Sequence, residues 1–233
     1  VQATNWKLRT ALDSLRIEYL RNEGKNWYWQ NYLVNGGNLQ IDHPALQGSI
    51  RKFSLGDGQP NRILNGNFVL DNPAMNLVAG IPQLMLDHKI HSTNKALDAI
   101  GSLVFQDADI RLLLKTKPPE EEPENKPRKV LPAMSLVNPA IIISKADGDS
   151  IHNIASVRGG SISVDPMIFE NSVVSTAGIR LDLKNIKSDQ EKFAVELPAL
   201  KLQTGAITFD KGQPIHTQVR ALNIQDGRFQ LKD

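Results

Sequence analysis

The sequence predicts an all-β chain, a long curled antiparallel sheet with only a minor helical part, and three observations carry that prediction. Segment after segment alternates apolar and polar residues with period two, the pattern of a strand with one buried face. Gly, Pro, Asn and Asp collect between those segments, where turns need them. One short unit also recurs: glycine, any residue, an apolar residue, any residue, a second apolar residue, then usually Asp. It reads GNLQID at 37–42, GNFVLD at 66–71, GSISVD at 160–165 and GAITFD at 205–210, with looser copies GSLVFQ at 101–106 and GRFQLK at 227–232.

In chain order, ATNWKLRTALDSL (3–15) fits either a strand or a helical start, and SLRIEYL (14–20) reads as strand. SLGDGQPNR (54–62) is glycine-rich but lacks the Lys-Ser/Thr of a phosphate loop, so it reads as a hairpin turn. STNKALDAI (92–100) fits a short helix capped by Ser92 or Thr93. SLVFQDADIRLLL (102–114), AGIRLDLKNI (177–186), FAVELPALKLQ (193–203) and HTQVRALNIQDGRFQLK (216–232) alternate throughout. The segment KTKPPEEEPENKPRK (115–129) holds four Pro, four Glu, five Lys/Arg and no apolar residue, so it reads as an exposed, extended loop. It divides the chain into an N-terminal part, 1–114, and a C-terminal part, 130–233, expected to belong to one continuous sheet.

The apolar pairs of the recurring unit are Leu39/Ile41, Phe68/Leu70, Leu103/Phe105, Ile162/Val164, Ile207/Phe209 and Phe229/Leu231. Residues two apart on a strand share a face, so each copy offers one apolar face and one wet one. The leading glycine suits a positive φ or a bulge at strand entry. The closing Asp (Asp42, Asp71, Asp165 and Asp210) suits a turn, and Pro44, Pro73 and Pro166 follow three of the copies. The glycines are 29, 35, 59, 45 and 22 residues apart, too irregular for a solenoid. The unit is therefore a recurring strand in a long meander. The alternating segments amount to about 14–18 strands, beyond the size at which an open sheet curls, splits or closes. At about 4.8 Å per strand such a sheet would run to roughly 75 Å. A β-sandwich is the alternative, and in it the same pairs would be sealed core.

Composition narrows the function. The chain of 233 residues is 40% apolar and carries a net charge of +2. No basic face with interleaved aromatics marks it for nucleic acid. The absence of Cys excludes disulfides, Cys-based zinc sites and thiol catalysis. The longest purely apolar run is AIII at 140–143, so no helix of membrane-spanning length is expected. The chain opens on Val1 without a visible signal peptide, as a processed or excised chain would.

Candidate chemistry is sparse. His88 and His91 sit three apart in HKIH with no third ligand nearby in sequence, so no metal is expected. The row of closing Asp residues is explained by turns, and no nucleophile-elbow pattern is present, so no catalytic residue and no cofactor are assigned. Trp27, Trp29 and Tyr32 form an aromatic patch, with Trp27 and Trp29 on one strand face and Tyr28 on the other. Such a patch serves as cross-strand core or as an amphipathic rest at a lipid headgroup level.

Strands such as ALNIQDGRFQL (221–231), LPALKLQTGAITFD (197–210) and SLRIEYLRNEGKNWYWQNYLVNGGNLQID (14–42) resemble the AsmA-like/TamB group of bacterial envelope proteins. The resemblance covers most of the chain outside the Pro/Glu segment. It implies a non-enzymatic periplasmic β-groove protein whose trough, lined by the twelve pair residues named above, shields phospholipid or other acyl chains. It also implies outer-membrane homeostasis as the setting, membrane contact through an anchor or partner absent from this chain, and no nucleic acid. Family members usually carry an N-terminal anchor and are much longer. The alternative function is a structural or interaction module docking onto a larger envelope assembly.

Overall fold

The structure is a computed structural model and describes residues 7–57, 59–88, 91, 100–115, 128–148, 150–171, 173–210 and 213–232. All of its regular structure there is β. Eighteen strands form one sheet. They are β1 (Lys7–Glu23), β2 (Asn26–His43), β3 (Leu46–Gly56), β4 (Asn61–Asp71), β5 (Met75–His88), β6 (Ile100–Gln106), β7 (Asp109–Leu114), β8 (Lys129–Leu131) and β9 (Ala133–Val137). The C-terminal part adds β10 (Ala140–Asp147), β11 (Ser150–Arg158), β12 (Gly160–Val164), β13 (Met167–Glu170), β14 (Val173–Thr176), β15 (Ile179–Asp189), β16 (Phe193–Asp210), β17 (Gln213–Gln225) and β18 (Arg228–Leu231). The expected helix at 92–100 lies outside the described residues except for Ile100, which opens β6. Most of the Pro/Glu segment lies outside them too, and Lys129, counted with it from sequence, begins β8.

The pairings reduce these strands to eleven rungs. β6–β7, β8–β10, β11–β13, β14–β15 and β17–β18 are each pieces of one interrupted rung. Met75–Gly80 of β5 pairs with β7 while Gln83–His88 pairs with β6. In the same way β8, β9 and β10 pair in turn with β13, β12 and β11. Eleven rungs at about 4.8 Å make the sheet about 50 Å long, shorter than the 75 Å expected, because collinear pieces do not lengthen it. Each rung lies beside its sequence neighbour and runs antiparallel to it, with one exception. β6 pairs with β9, and β7 with β10, in parallel. The sheet is thus mixed rather than wholly antiparallel. A parallel step requires a crossover connection, and the chain between Lys115 and Arg128 that provides it lies largely outside the described residues. One continuous sheet replaces the two sheets of a sandwich, and no pairing joins β1 to β17 or β18, so among the described residues the sheet does not close.

A crease crosses the sheet at nearly one register. Asn38, Asn65, Asp107, Asn138, Asn185 and Asp226 have φ between +46° and +53°, and Gly159 and Gly160 have φ near +90°. Asn and Asp tolerate this left-handed region better than other side chains. Three of the other rungs, β3, β5 and β16, place Arg51, Pro82 and Pro198 at the matching position. Each crease residue breaks the period of two, so apolar side chains three apart share a face across it. Ile50 and Phe53 are both buried while Arg51 and Lys52 between them are exposed; Ile81 and Leu84 are both buried around an exposed Pro82 and a half-buried Gln83. The break bends each strand. Hydrogen bonds hold the line together where the parallel step interrupts it. Asn138 Nδ2 donates to Asp107 Oδ1 at 2.7 Å, its N–H donates to the Gly160 carbonyl at 2.7 Å, and Ala140 N–H donates to Ala108 O at 2.8 Å. Ala108 and Pro139 are fully buried at this point.

Candidate apolar groove

The registers line the apolar residues into rows that run across the rungs. One row passes Leu12, Gly36, Phe53, Ile63, Leu84, Phe105, Leu136, Ile162, Leu181, Leu202 and Leu222, one residue from each of eleven rungs. A second passes Leu8, Ile41, Gly48, Phe68, Ala79, Ile110, Ile141 and Val157 on the far side of the crease. Residues directly opposite on neighbouring strands have side chains in contact range, so each row is a ladder of cross-strand apolar pairs. The opposite face carries exposed charge pairs such as Lys187–Glu196 at 2.8 Å and Lys201–Asp182 at 3.3 Å.

Five of the six predicted pairs fall on this apolar side in different rungs. Leu39, Ile41, Phe68, Leu70, Leu103, Phe105, Ile162, Val164 and Phe209 are half-buried, and Ile207 is buried. Phe229 and Leu231 are exposed because β18 is at the sheet edge. Sequence reasoning missed most of the rows. Leu12, Phe53, Ile63, Leu84, Leu136, Leu181 and Leu202 lie outside any copy of the recurring unit, and their signal was the alternation alone. Full burial is scarce: a small cluster of Ala79, Ile81 and Leu84, backed by Ile63, Phe68, Leu103, Phe105 and Ile110, is the nearest approach to a packed core. The accessible surface is 15993 Å² for 25.8 kDa, against about 10,500 Å² for a compact monomer of that mass.

The glycines of the unit meet the expectation of a positive φ or a bulge in part: Gly101 and Gly205 fall at register shifts opposite β5 and β17. Only Gly160 among the six has a positive φ. Gly66, and outside the unit Gly36 and Gly48, seat aromatic rings. A Cβ on Gly36 would come within 2.7 Å of the Phe53 ring, and one on Gly48 or Gly66 within 2.7 Å of Phe68. The rings of Phe53 and Phe68 thus occupy the space that a Cβ would take at these glycines. In the turns after Asp42 and Asp71 a neighbouring side chain accepts the turn N–H groups. After Asp42 it is His43 Nδ1 that accepts the Ala45 N–H at 3.2 Å, and after Asp71 it is Asn72 Oδ1 that accepts the N–H groups of Ala74 and Met75 at 2.9 Å. Asp71 takes Lys115 Nζ at 2.5 Å and Asp165 takes Arg180 at 3.2 Å, both across the sheet.

At one end of the crease side sits the aromatic group. Asn31 has φ +47°, which places Trp29 and Tyr32 together, their rings edge-to-face at 6.2 Å. Tyr32 is buried and Trp27 exposed. Tyr28 turns away and stacks under Arg21, whose guanidinium lies 5.4 Å from the ring centre. Tyr32 Oη lies 3.1 Å from Nε2 and 3.2 Å from Nδ1 of the buried His88. Burial pushes the Tyr32 hydroxyl up to about 12. Burial likewise lowers His88, against the opposing pull of Asp57 and Asp87, with His91 adding to the fall. A histidine whose pKa is lowered by folding is held neutral, so its contribution is present above the unfolded value and lost as pH falls through that value toward the folded one. The melting temperature should therefore fall as pH is lowered from 7 to 5, and His88→Phe should flatten that dependence in a thermal-denaturation series. His91 pairs with Asp57 at 3.4 Å, and no three His, Asp or Glu side chains gather in metal-binding fashion among the described residues. No family model and no curated protein matches this chain.

Proposed function

We propose that this chain is a non-enzymatic envelope protein of AsmA-like type, whose creased sheet shields lipid acyl chains along its apolar rows for phospholipid transport or outer-membrane homeostasis. The observation that supports this reading is the row from Leu12 to Leu222: an apolar track across every rung, largely half-buried instead of sealed. A soluble chain rarely keeps so much contiguous apolar surface without something to cover it. An acyl chain suits it, because each methylene kept from water contributes about 0.8 kcal/mol with no polar contact required. A periplasmic setting and an anchor or partner at the membrane belong to the same proposal, as does a lipid in place of any cofactor.

The test is extraction of the purified protein with organic solvent, with native mass spectrometry in parallel. Co-purifying phospholipid in near-stoichiometric amount is the expected result. Protein that emerges free of lipid, and takes up none from vesicles, would sink the proposal and leave the structural-module reading.

A further inference from the structure

We propose that Tyr32 and His88 form a latch that holds one end of the apolar trough shut and releases when acid charges the histidine. Tyr32 lies on β2 and His88 on β5, with β3 and β4 between them. In a flat sheet, three steps of about 4.8 Å would hold those two backbones about 14 Å apart. Here Tyr32 Oη lies 3.1 Å from His88 Nε2, and both residues are buried. The contact is on the apolar side: Tyr32 alternates with Val34 and Gly36 of the long row, and His88 with Leu86 and Leu84. The backbone closes at the same place. Trp29 N–H donates to the His91 carbonyl at 2.9 Å, and His91 Nδ1 lies 3.3 Å from the Trp29 carbonyl oxygen. The sheet is therefore curled until β2 meets the chain that follows β5 across the tip of β3–β4.

The groups around the histidine decide the direction of the response. Tyr32 faces it from β2, Asp57 from the β3–β4 tip, Asp87 from its own strand and His91 from beyond that strand. β6 sets Ile100 opposite it, and the nearest charge of β4 is Arg62, which stands opposite Met85. Asp57 is already engaged: one carboxylate oxygen accepts the Tyr32 N–H at 3.1 Å and the other lies 3.4 Å from His91 Nε2. Burial, which penalises a charged ring, outweighs the pull of Asp57 and Asp87, and His91 adds to it. A neutral imidazole accepts a hydrogen bond at one nitrogen; an imidazolium only donates, so a charged His88 can no longer take the Tyr32 O–H. The closed state thus holds His88 neutral, and opening lets it charge. The open state binds the extra proton and is favoured as pH falls. The latch deepens the lipid-shielding reading by giving the trough a regulated end, but its test needs no lipid, so the two can fail separately.

The absence of native Cys permits labelling at one chosen point. Leu55→Cys puts a thiol on the apolar face of β3, between the two latch strands, and Leu46→Cys puts one on the same face at the far end of that strand. Both positions are half-buried. Reaction with a maleimide is timed between pH 7 and pH 5, each rate divided by that of a cysteine peptide at the same pH, with circular dichroism recorded in parallel. The expected result is a severalfold rise in relative rate at position 55 as pH falls, with position 46 steady and the β-signal intact. His88→Phe, which puts an apolar ring in the same space, should keep position 55 protected throughout. A relative rate at position 55 that ignores pH overturns the proposal, and so does the same rise in His88→Phe. An equal rise at both positions would mean that the whole sheet loosens, and overturns it too.

Discussion

Gly160→Ala should destabilise this protein more than any other glycine-to-alanine change at a positive φ in the sheet. Gly160 has φ +91°, a conformation that L side chains rarely adopt, and an added Cβ would run into the Asp182 carbonyl oxygen on the neighbouring strand. The obstacle is backbone. It cannot rotate aside, and moving it breaks the β12–β15 pairing of Gly160 with Leu183. The same glycine accepts the Asn138 N–H, so any shift also loosens the crease at the parallel step. Strained φ adds about 1–3 kcal/mol, and the clash brings the sum into the range of about 4 kcal/mol or more that marks exceptional substitutions. For a chain of this size that corresponds to a fall of about 8–16 °C in melting temperature. Gly24→Ala and Gly148→Ala are the controls. Their φ values are +64° and +56°, and a Cβ at either meets nothing within 4 Å. Each should cost only about 1–2 kcal/mol, the price of left-handed backbone alone. Equal losses at all three positions would show that the close approach at Gly160 does not matter.

The strands were legible because alternation reports directly on a sheet with one apolar side. Segments such as 102–114 and 216–232 read as strand and are strand, interrupted only where Asp107–Ala108 and Asp226–Gly227 fall on the crease. The crease itself was not read. Its signal is two consecutive polar residues between apolar ones three apart, as in Ile50–Arg51–Lys52–Phe53 and Leu183–Lys184–Asn185–Ile186. Taken one strand at a time, that pattern looks like a flaw in the alternation. Only pairing shows that the flaws align across the rungs, and pairing is long-range information. The parallel step between β7 and β10 is illegible for the same reason: direction depends on where the chain goes between Lys115 and Arg128, and no residue there encodes it locally. The role of two glycines outside the recurring unit was not read, for a related cause. Gly36 and Gly48 are small because Phe53 and Phe68 on adjacent strands need the room, a requirement set by a neighbour rather than by local φ. The groove residues were legible in part, since the recurring unit picks out pairs such as Ile162/Val164 but omits Phe53, Leu84 and Leu181, which lie in the same row as Ile162.

If the rows carry acyl chains as proposed, Ile162→Asp should leave the sheet folded and remove most of the bound lipid. Ile162 sits mid-row between Leu136 and Leu181, on strands that are paired on both sides. It is half-buried, so a carboxylate there keeps contact with solvent through the accessible side of the sheet. Loss of part of an apolar contact then amounts to about 1–2 kcal/mol, and the far-ultraviolet circular dichroism should remain that of a β-protein. A negative charge in the middle of the track would interrupt it for an acyl chain, because an uncompensated charge beside hydrocarbon is strongly unfavourable. Bound lipid, measured by extraction, should fall severalfold. If the row is instead closed core, the same substitution buries an unpaired carboxylate, and the expected result is loss of about 3–5 kcal/mol with aggregation or unfolding. Ser163→Asp, one residue on and facing the other way with Ser135 across from it at 3.1 Å, controls for a charge on this strand as such. It should lower lipid content little. A folded Ile162→Asp protein that keeps its full lipid content would place the lipid elsewhere than on this row.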